Sequence, residues 1–286
     1  MRVIVSIVIV NWNTEELLRA CLNSIYKTMD KTSIEVIVVD NASSDDSVLY
    51  IKKHFPKVNL IENKKNSGFA GGCNLGAAHA KGEYILFLNN DAEVSEDPLP
   101  KMIDVFHKHT DAAIVGGLLV NHNGSLQRSY GSFYTVINVA YLLFAGESGE
   151  LKRFKSRDVT PTDWVSGGFM MVKRDVFESV KGFNESYFMY IEDMDLCYRV
   201  KKKGFGIYNT PHVKVEHVGQ GSTNKAFAVV HIFEGLQIFY KQQRSLVEYY
   251  LVKLLLFIKA ISALVVGIVT LNKYLISTYK AALKTL

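Results

Sequence analysis

From Val3 to Asn90 the hydrophobic pattern switches repeatedly between unbroken β-branched runs and helical spacing, and this alternation restricts the fold more than any other feature. VIVSIVIV (Val3 to Val10) has the continuous apolar character of a strand buried on both faces. Thr14 then reads as an N-cap, with Glu15 and Glu16 in the first turn and Leu17, Leu18, Cys21, Leu22 and Ile25 at helical spacing. VIVVD (Val36 to Asp40) is a second strand, and NASSDDS supplies capping residues for the next helix. VNLIEN (Val58 to Asn63) is a third strand. A glycine-rich turn and a small-residue helix over Ala70 to Ala80 precede a fourth, YILFLNN (Tyr84 to Asn90). Such a chain predicts an α/β fold on a mostly parallel sheet, with right-handed crossovers and ligands gathered at the carboxyl ends of the strands. Asn11, Asn13, Asp40, Asn66 and Asp91 stand at those ends. Each alone is an ordinary turn former; at successive strand ends they point to a site.

Beyond Asp91 the alternation weakens. A helix over about Pro98 to His109 and a strand AAIVGGLLV (Ala112 to Val120) lead into a loop-rich region, residues 121–162. WVSGGFMMVKR (Trp164 to Arg174) reads as one strand whose two glycines allow a close approach to the backbone. Strand-like GIYN and VKVEHV follow, and helices run from about Lys225 to the end. With 48% hydrophobic and 21% charged residues the chain is a folded protein. The net charge of +5 arises from basic pairs and triplets without a nucleic-acid motif, so no nucleic-acid partner is expected. Three separated cysteines with no CxxC pair argue for a reducing compartment.

The C-terminal run LLLFIKAISALVVGIVTL (Leu254 to Leu271) is near membrane-span length, but Lys259 lies inside it. No acidic residue follows Glu248, whereas Lys253, Lys259, Lys273, Lys280 and Lys284 recur. A helical hairpin on an anionic membrane surface fits this pattern better than a spanning helix. A helix pair packed on the domain or on a second subunit, as in a homodimer, is the alternative.

Three motifs carry chemistry. NSGFAGGCNLG (Asn66 to Gly76) lacks the spacing and position of a dinucleotide fingerprint and leaves a helix start whose N–H groups suit a polar or anionic ligand. YILFLNNDAEV delivers Asp91 and Glu93 at a strand end, either as hard ligands for Mg²⁺ or Mn²⁺ or as a turn. His217, in VKVEHVGQGS, is a lone histidine unless it shares a site with Asp91. In YFMYIEDMDLCYRVKKKG (Tyr187 to Gly204), Asp195 precedes Arg199 by four residues, the spacing of a helical ion pair.

Taken together, VSIVIVNWN, VIVVDNASSD, NSGFAGGCNLG, LFLNNDAEV, the long block from Trp164 to Gly204, and VEHVGQGS resemble the inverting family-two glycosyltransferases. The rhamnosyltransferase-like branch that builds bacterial cell-surface glycans is the most similar. The resemblance runs in order from about Val3 to Arg244 and implies a GT-A fold. Residues 1–93 would form a Rossmann-like nucleotide-binding half and residues 94–245 an acceptor half, with residues 246–286 a membrane-associating or oligomerising helical segment.

By position, the resemblance implies that Asp40 hydrogen-bonds the nucleobase, with Asn11 and Asn13 at the same end. Asn66, Gly68 and Asn74 match the segment beside the donor, Asn90 joins the donor-binding set, and Trp164, Gly167 and Gly168 border the sugar. Asp91 and His217 match metal ligands; Glu93 departs from the usual second Asp of that motif. Asp193 matches the general base, held ionised by its helix start, while Glu192 caps, orients the loop or touches the acceptor. The implied activity is metal-dependent, inverting hexosyl transfer from a nucleoside-diphosphate sugar, dTDP-rhamnose or else a UDP-sugar. The acceptor would be a glycan or polyprenyl-linked saccharide at the inner face of the bacterial plasma membrane, reached from the cytoplasm. A non-catalytic nucleotide-sugar or glycan-binding module and a nucleotidyltransferase are the rival readings. The latter usually needs a glycine- and basic-rich loop after the first strand, where this chain has NWNTEE.

Overall fold

The nucleotide-type half forms as the alternation predicts. Val5–Asn11 (β1), Glu15–Thr28 (α1), Ile34–Asp40 (β2), Ser47–His54 (α2), Asn59–Glu62 (β3), Gly68–Ala77 (α3) and Tyr84–Leu88 (β4) follow one another. β1 lies between β2 and β4, parallel to both, and Asn11 stands directly opposite Asp40. The computed structural model describes residues 3–29, 34–145, 157–219 and 225–286. Part of the predicted loop-rich region and Gln220 to Ser222 of the VEHVGQGS motif lie outside them.

The second half adds Ala92–Glu93 (β5), Leu99–Lys108 (α4), Ala112–Val120 (β6), Tyr130–Gly131 (β7) and Val136–Ala145 (α5). Thr160–Pro161 (β8), Trp164–Val165 (β9), Phe169–Lys173 (β10), Arg174–Ser179 (α6), Glu192–Lys202 (α7) and Gly206–His217 (β11) complete it. Among the described residues the central sheet runs β3–β2–β1–β4–β10–β6–β11–β5, with β8 on the flank of β11. β10 is antiparallel to both β4 and β6, and β11 is parallel to β6. Two inversions cancel. The carboxyl end of β11, with His217, therefore returns to the sheet edge where β1, β2 and β4 end.

Two strands differ from expectation. The predicted single strand from Trp164 to Arg174 is broken at residues 166–168: β9 pairs with β7 in a separate ribbon, while β10 enters the main sheet. A turn at Gly167 and Gly168 makes that change of partner. Conversely, GIYN and VKVEHV are one strand, β11, with a register shift between Asn209 and Lys214.

The glycines of α3 act in packing. A Cβ on Gly76 would lie 2.4 Å from Val8 Cγ1, and one on Gly72 2.7 Å from Val10 Cγ1, so only glycine lets this helix lie so close to the sheet. At the C-terminus, Lys225–Gln243 (α8), Leu246–Val269 (α9) and Lys273–Leu283 (α10) pack together. Ser245 and Glu248 form a capping box at the start of α9. Val252, Leu256 and Ala260 of α9 share one hydrophobic core with Phe233 and Leu236 of α8 and with Trp164 and Cys197. The expected boundary after residue 245 is thus no break in packing.

Candidate active site

At the nucleotide end, the loops after β1 and β2 are joined by side-chain bonds. Buried Asn11 donates to Asp40 Oδ1 at 3.2 Å, and Asp40 Oδ2 accepts from Ser43 N–H at 2.9 Å. Asn90 donates to Asn11 Oδ1 (2.9 Å) and to Thr14 Oγ1 (2.5 Å), tying in the end of β4. Thr14 therefore does not cap α1 through its side chain; its hydroxyl donates to Asn11 Oδ1 instead. Asn13 adopts a positive φ of 53°, which asparagine tolerates, and its Oδ1 accepts from Ser44 N–H. In the predicted capping run NASSDDS, Asp46 makes no side-chain cap on α2; Asp45 instead accepts from Ser47 N–H at the start of that helix and from Glu15 N–H at the start of α1, joining the two loops.

The start of α3 is not the open cluster of N–H groups expected. Asn66 Oδ1 accepts from Gly68 N–H at 2.9 Å, and the Phe188 carbonyl accepts from Phe69 N–H at 2.8 Å. Gly68, at φ +74°, lies so close to that carbonyl that a Cβ would stand 2.2 Å from it. Asn74 is similarly engaged: its amide donates to Phe183 O and Glu185 Oε1, and its Oδ1 accepts from Phe183 N–H. Phe69 N–H and Asn74 hold α3 to the segment that leads into α7, Gly68 allows the close approach, and Asn66 fixes the turn before the helix. Asn41, missed in the sequence, reinforces them by donating to Gly68 O and accepting from Asn63 and Ser67.

Asp91 and His217 do meet, with Oδ1 and Nε2 3.2 Å apart. Gln127 fixes the ring. Its amide nitrogen donates to His217 O and Asn121 Oδ1, so its Oε1 faces His217 Nδ1, at 2.7 Å, as an acceptor. The proton then lies on Nδ1. Nε2 presents a lone pair, met by Asn89 Nδ2 at 3.0 Å and by the Asp91 oxygen. A carboxylate oxygen and an imidazole lone pair so placed suit a divalent cation that takes its remaining ligands from phosphate and water. Glu93 is exposed and does not join them; among the described residues no three His, Cys, Asp or Glu side chains converge as a metal cage. Asn89 and Gln127 escaped sequence reasoning because one is masked by the Asn-Asn-Asp run and the other lies in a featureless loop.

A turn of three residues links this pair to the proposed base. Asn89 N–H donates to Gly168 O at 3.0 Å, and Gly167 N–H donates to Asp193 Oδ2 at 3.0 Å. Asp193 Oδ1 also accepts from Met194 N–H at 2.7 Å. Burial pushes the Asp193 carboxyl above its usual value despite these bonds, so the helix start does not prevail as the sequence suggested. It remains ionisable and is a stronger base for being raised. Trp164 is buried, donates to Ser132 O and packs under Arg128. Its place is the wall beneath the turn.

The other two carboxylates separate cleanly from Asp193. Asp195, fully buried, pairs with Arg199 at 2.7 Å as its spacing predicted, and Arg199 also donates to Val180 O and Gly182 O. Glu192, 5% exposed, has an Oε2 without a hydrogen-bond partner. Burial first, then the charges of Asp193 and Asp195, set its carboxyl well above the ordinary range against the opposing effect of a backbone hydrogen bond. Tyr190 and Ile191 precede it at φ 71° and 72°, and for a β-branched residue that is strained backbone.

The whole arrangement is that of a GT-A transferase. The fold resembles that of the solved structure of GalNAc-T7 with UDP, GalNAc and Mn²⁺, with a TM-score of 0.64 at 17% identity, covering 84% of this chain and 48% of that one. The structure of Staphylococcus aureus TarS residues 1–349 matches with a TM-score of 0.53 at 16% identity, covering 84% and 72%. The chain belongs to glycosyl transferase family 2, whose model matches residues 6–181. A second model, described as the N-terminal domain of galactosyltransferase, matches residues 155–221. Among relatives, the low-salt glycan biosynthesis hexosyltransferase Agl10 of Haloferax volcanii is 28% identical over 71% of this chain and 63% of its own length. The rhamnosyltransferase WbbL of Escherichia coli is 28% identical over 78% and 87%. The N-acetylglucosaminyl-diphospho-decaprenol L-rhamnosyltransferase of Mycobacterium tuberculosis is 25% identical over 67% and 69%.

A buried carboxyl with a raised pKa stays protonated in the folded state while its unfolded counterpart ionises, so its contribution to stability falls as pH rises between the two values. Glu192→Gln removes that dependence. Its melting temperature relative to the parent should therefore rise between pH 5.5 and pH 8.5; a pH-independent difference would contradict the buried-acid assignment.

Proposed function

We propose that the chain transfers a hexosyl group, with inversion, from a nucleoside-diphosphate sugar to a hydroxyl of a glycan or lipid-linked saccharide. The observation that carries this reading is the single turn, Ser166 to Gly168, from which Asp193 is held on one side and Asn89, with the Asp91–His217 pair, on the other. Asp40, with Asn11 behind it, is the proposed nucleobase contact.

The acceptor oxygen forms its bond to the anomeric carbon as the bond from that carbon to the diphosphate oxygen breaks. Asp193 takes the acceptor proton at the same stage, a role that typically contributes ~10²–10⁴-fold. Inversion needs no second nucleophilic carboxylate. Asp91 and His217 would hold a Mg²⁺ or Mn²⁺ ion, which when bound neutralises charge on the departing diphosphate. Gln127 keeps the His217 proton on Nδ1 and its lone pair toward Asp91. The names of the E. coli and M. tuberculosis relatives, both rhamnosyltransferases, favour a rhamnosyl donor; on this reading the donor is dTDP-rhamnose, with a UDP-sugar next, and the product a cell-surface glycan.

The outer face of α9 supports contact with an anionic membrane, and with it a peripheral place on the cytoplasmic side of the plasma membrane. Among the described residues α9 alone is long and apolar enough to cross a bilayer, and only 22% of its most apolar window is buried. Its inner residues Val252, Leu256 and Ala260 belong to the core, whereas Leu254, Ile261 and Val265 face outward. Lys259 lies over the Phe144 ring rather than on that outer face. A helix tethered by its inner side is suited to lie on a membrane rather than to span it.

Two measurements test these readings. Asp193→Asn should fold and bind nucleotide with metal yet transfer sugar ~10²–10⁴-fold more slowly. The parent's rate should rise with pH through a pKa above that of an ordinary aspartate; near-parental turnover in the variant would remove the base. In sedimentation with anionic vesicles, Leu254→Glu combined with Ile261→Glu should release the protein to the supernatant. Unchanged sedimentation would leave the face to a second subunit.

A further inference from the structure

Helix α5 is apolar on both sides. None of its residues, VINVAYLLFA, is charged, and the Asn138 amide is spent on Phe133 O at 3.3 Å. Val139 and Leu143 sit in the hydrophobic core, whereas Ile137, Tyr141 and Phe144 are 80%, 44% and 51% exposed. Steps of four and then three residues put those three side chains on one stripe of the helix. A contiguous exposed stripe of large apolar groups marks a surface that meets a partner.

α5 packs against α9, and Lys259 Nζ lies 5.7 Å from the centroid of the Phe144 ring. That contact marks the seam between the two helices. On the α9 side Ile258, next to Lys259, is exposed, and Ile261 and Val265 continue the outer face. The charge at the seam is positive. α9 carries Lys253 and Lys259, and the one acidic residue of the two helices, Glu248, is held in the capping box with Ser245. Such a surface suits a bilayer of anionic lipid, with the lysine stem lying on the ring and its ammonium reaching the headgroups. A second copy placed by a two-fold axis would set the same lysines against one another with no acid to pair them.

We propose that α5 docks on an anionic bilayer together with the outer face of α9, with Ile137, Tyr141 and Phe144 entering the boundary between headgroups and acyl chains. This rests on the reading of α9 as a membrane-contacting helix and adds to it a second element and the half of the molecule that faces the lipid. A helix of this length spans about 15 Å, half of a hydrocarbon core, so α5 lies along the surface. It belongs to the acceptor half. It follows Tyr134, whose carbonyl accepts from Tyr240 OH at 2.7 Å and whose ring lies under the Arg128 guanidinium. The same guanidinium lies over Trp164, two residues before the turn that begins at Ser166. Packed residues thus join α5 to the turn beside Asp193, and the acceptor side of the site is the one presented to the membrane.

The three native cysteines are buried, so a thiol introduced at the surface of the full chain takes a label selectively. Tyr141→Cys on α5, Ile258→Cys on α9 and Leu49→Cys on α2, in the nucleotide-binding half, each receive an environment-sensitive nitrobenzoxadiazole label. They are mixed with vesicles of phosphatidylethanolamine and phosphatidylglycerol, with or without brominated acyl chains. The labels at positions 141 and 258 should brighten, shift to the blue and be quenched by the brominated chains, while the label at position 49 should do none of these. Ile137→Glu combined with Tyr141→Glu should bind the same vesicles about tenfold more weakly, with melting temperature and donor hydrolysis unchanged. Quenching at position 258 but not 141, or unchanged vesicle binding by the double variant, would overturn the proposal and leave α9 on the membrane. Quenching at neither position would remove the membrane reading and this proposal with it. A blue-shifted label at position 141 without vesicles, in a species of twice the mass of the chain, would overturn the proposal by assigning the stripe to a second copy.

Discussion

Gly167 gives its N–H to Asp193, and the next residue takes the N–H of Asn89 on its carbonyl; two backbone bonds from one turn set the relation between Asp193 and His217. Asn89 passes the constraint on through its side chain to His217, whose other nitrogen is fixed by Gln127. The turn can do this because β10 runs against the parallel strands, so its start meets the ends of β4 and β11. Both glycines are buried. A Cβ on Gly168 would lie 3.1 Å from Asn89 Nδ2, and one on Gly167 3.0 Å from the Phe69 ring. Small residues here are a requirement of spacing.

Support for Asp193 comes from the other side as well. Two consecutive residues at positive φ cost about 1–3 kcal/mol each, and such strain persists only where surroundings over-determine it. Here Gly235 closes on Ile191, Gln243 donates to Asp195, and Arg199 ties Asp195 to the carbonyls of Val180 and Gly182. Helix α8 therefore braces α7 directly. The same helix packs on the apolar α9.

Much of this was legible in the residues. The strand ends and the Asp195–Arg199 pair follow from patterns of period and spacing that local geometry preserves, whereas the meeting of Asp91 with His217 was implied only by the family resemblance. The failures share a cause: each concerns what a polar or small residue is spent on. The α3 glycines read as a ligand cradle because their partners, Val8 and Val10, lie far away in sequence. Thr14 and the NASSDDS run looked like caps until Asn90, Asn13 and Asp40 competed for the same hydroxyls and N–H groups. Glu192 and Asp193 are neighbours with equal chemistry, and only the fold buries one with an unpartnered Oε2 and turns the other toward Gly167. Which side of α9 is covered was equally invisible, since both faces are apolar.

The claim that one turn supports both halves of the site is tested most directly by Gly168→Ala, whose Cβ would press on Asn89 Nδ2 at 3.1 Å while leaving the sheet in place. Transfer rate and divalent-ion affinity, read by metal titration of nucleotide binding, should both fall about tenfold or more while the melting temperature changes little. Loss of rate with unchanged ion affinity, or neither loss, would contradict the account.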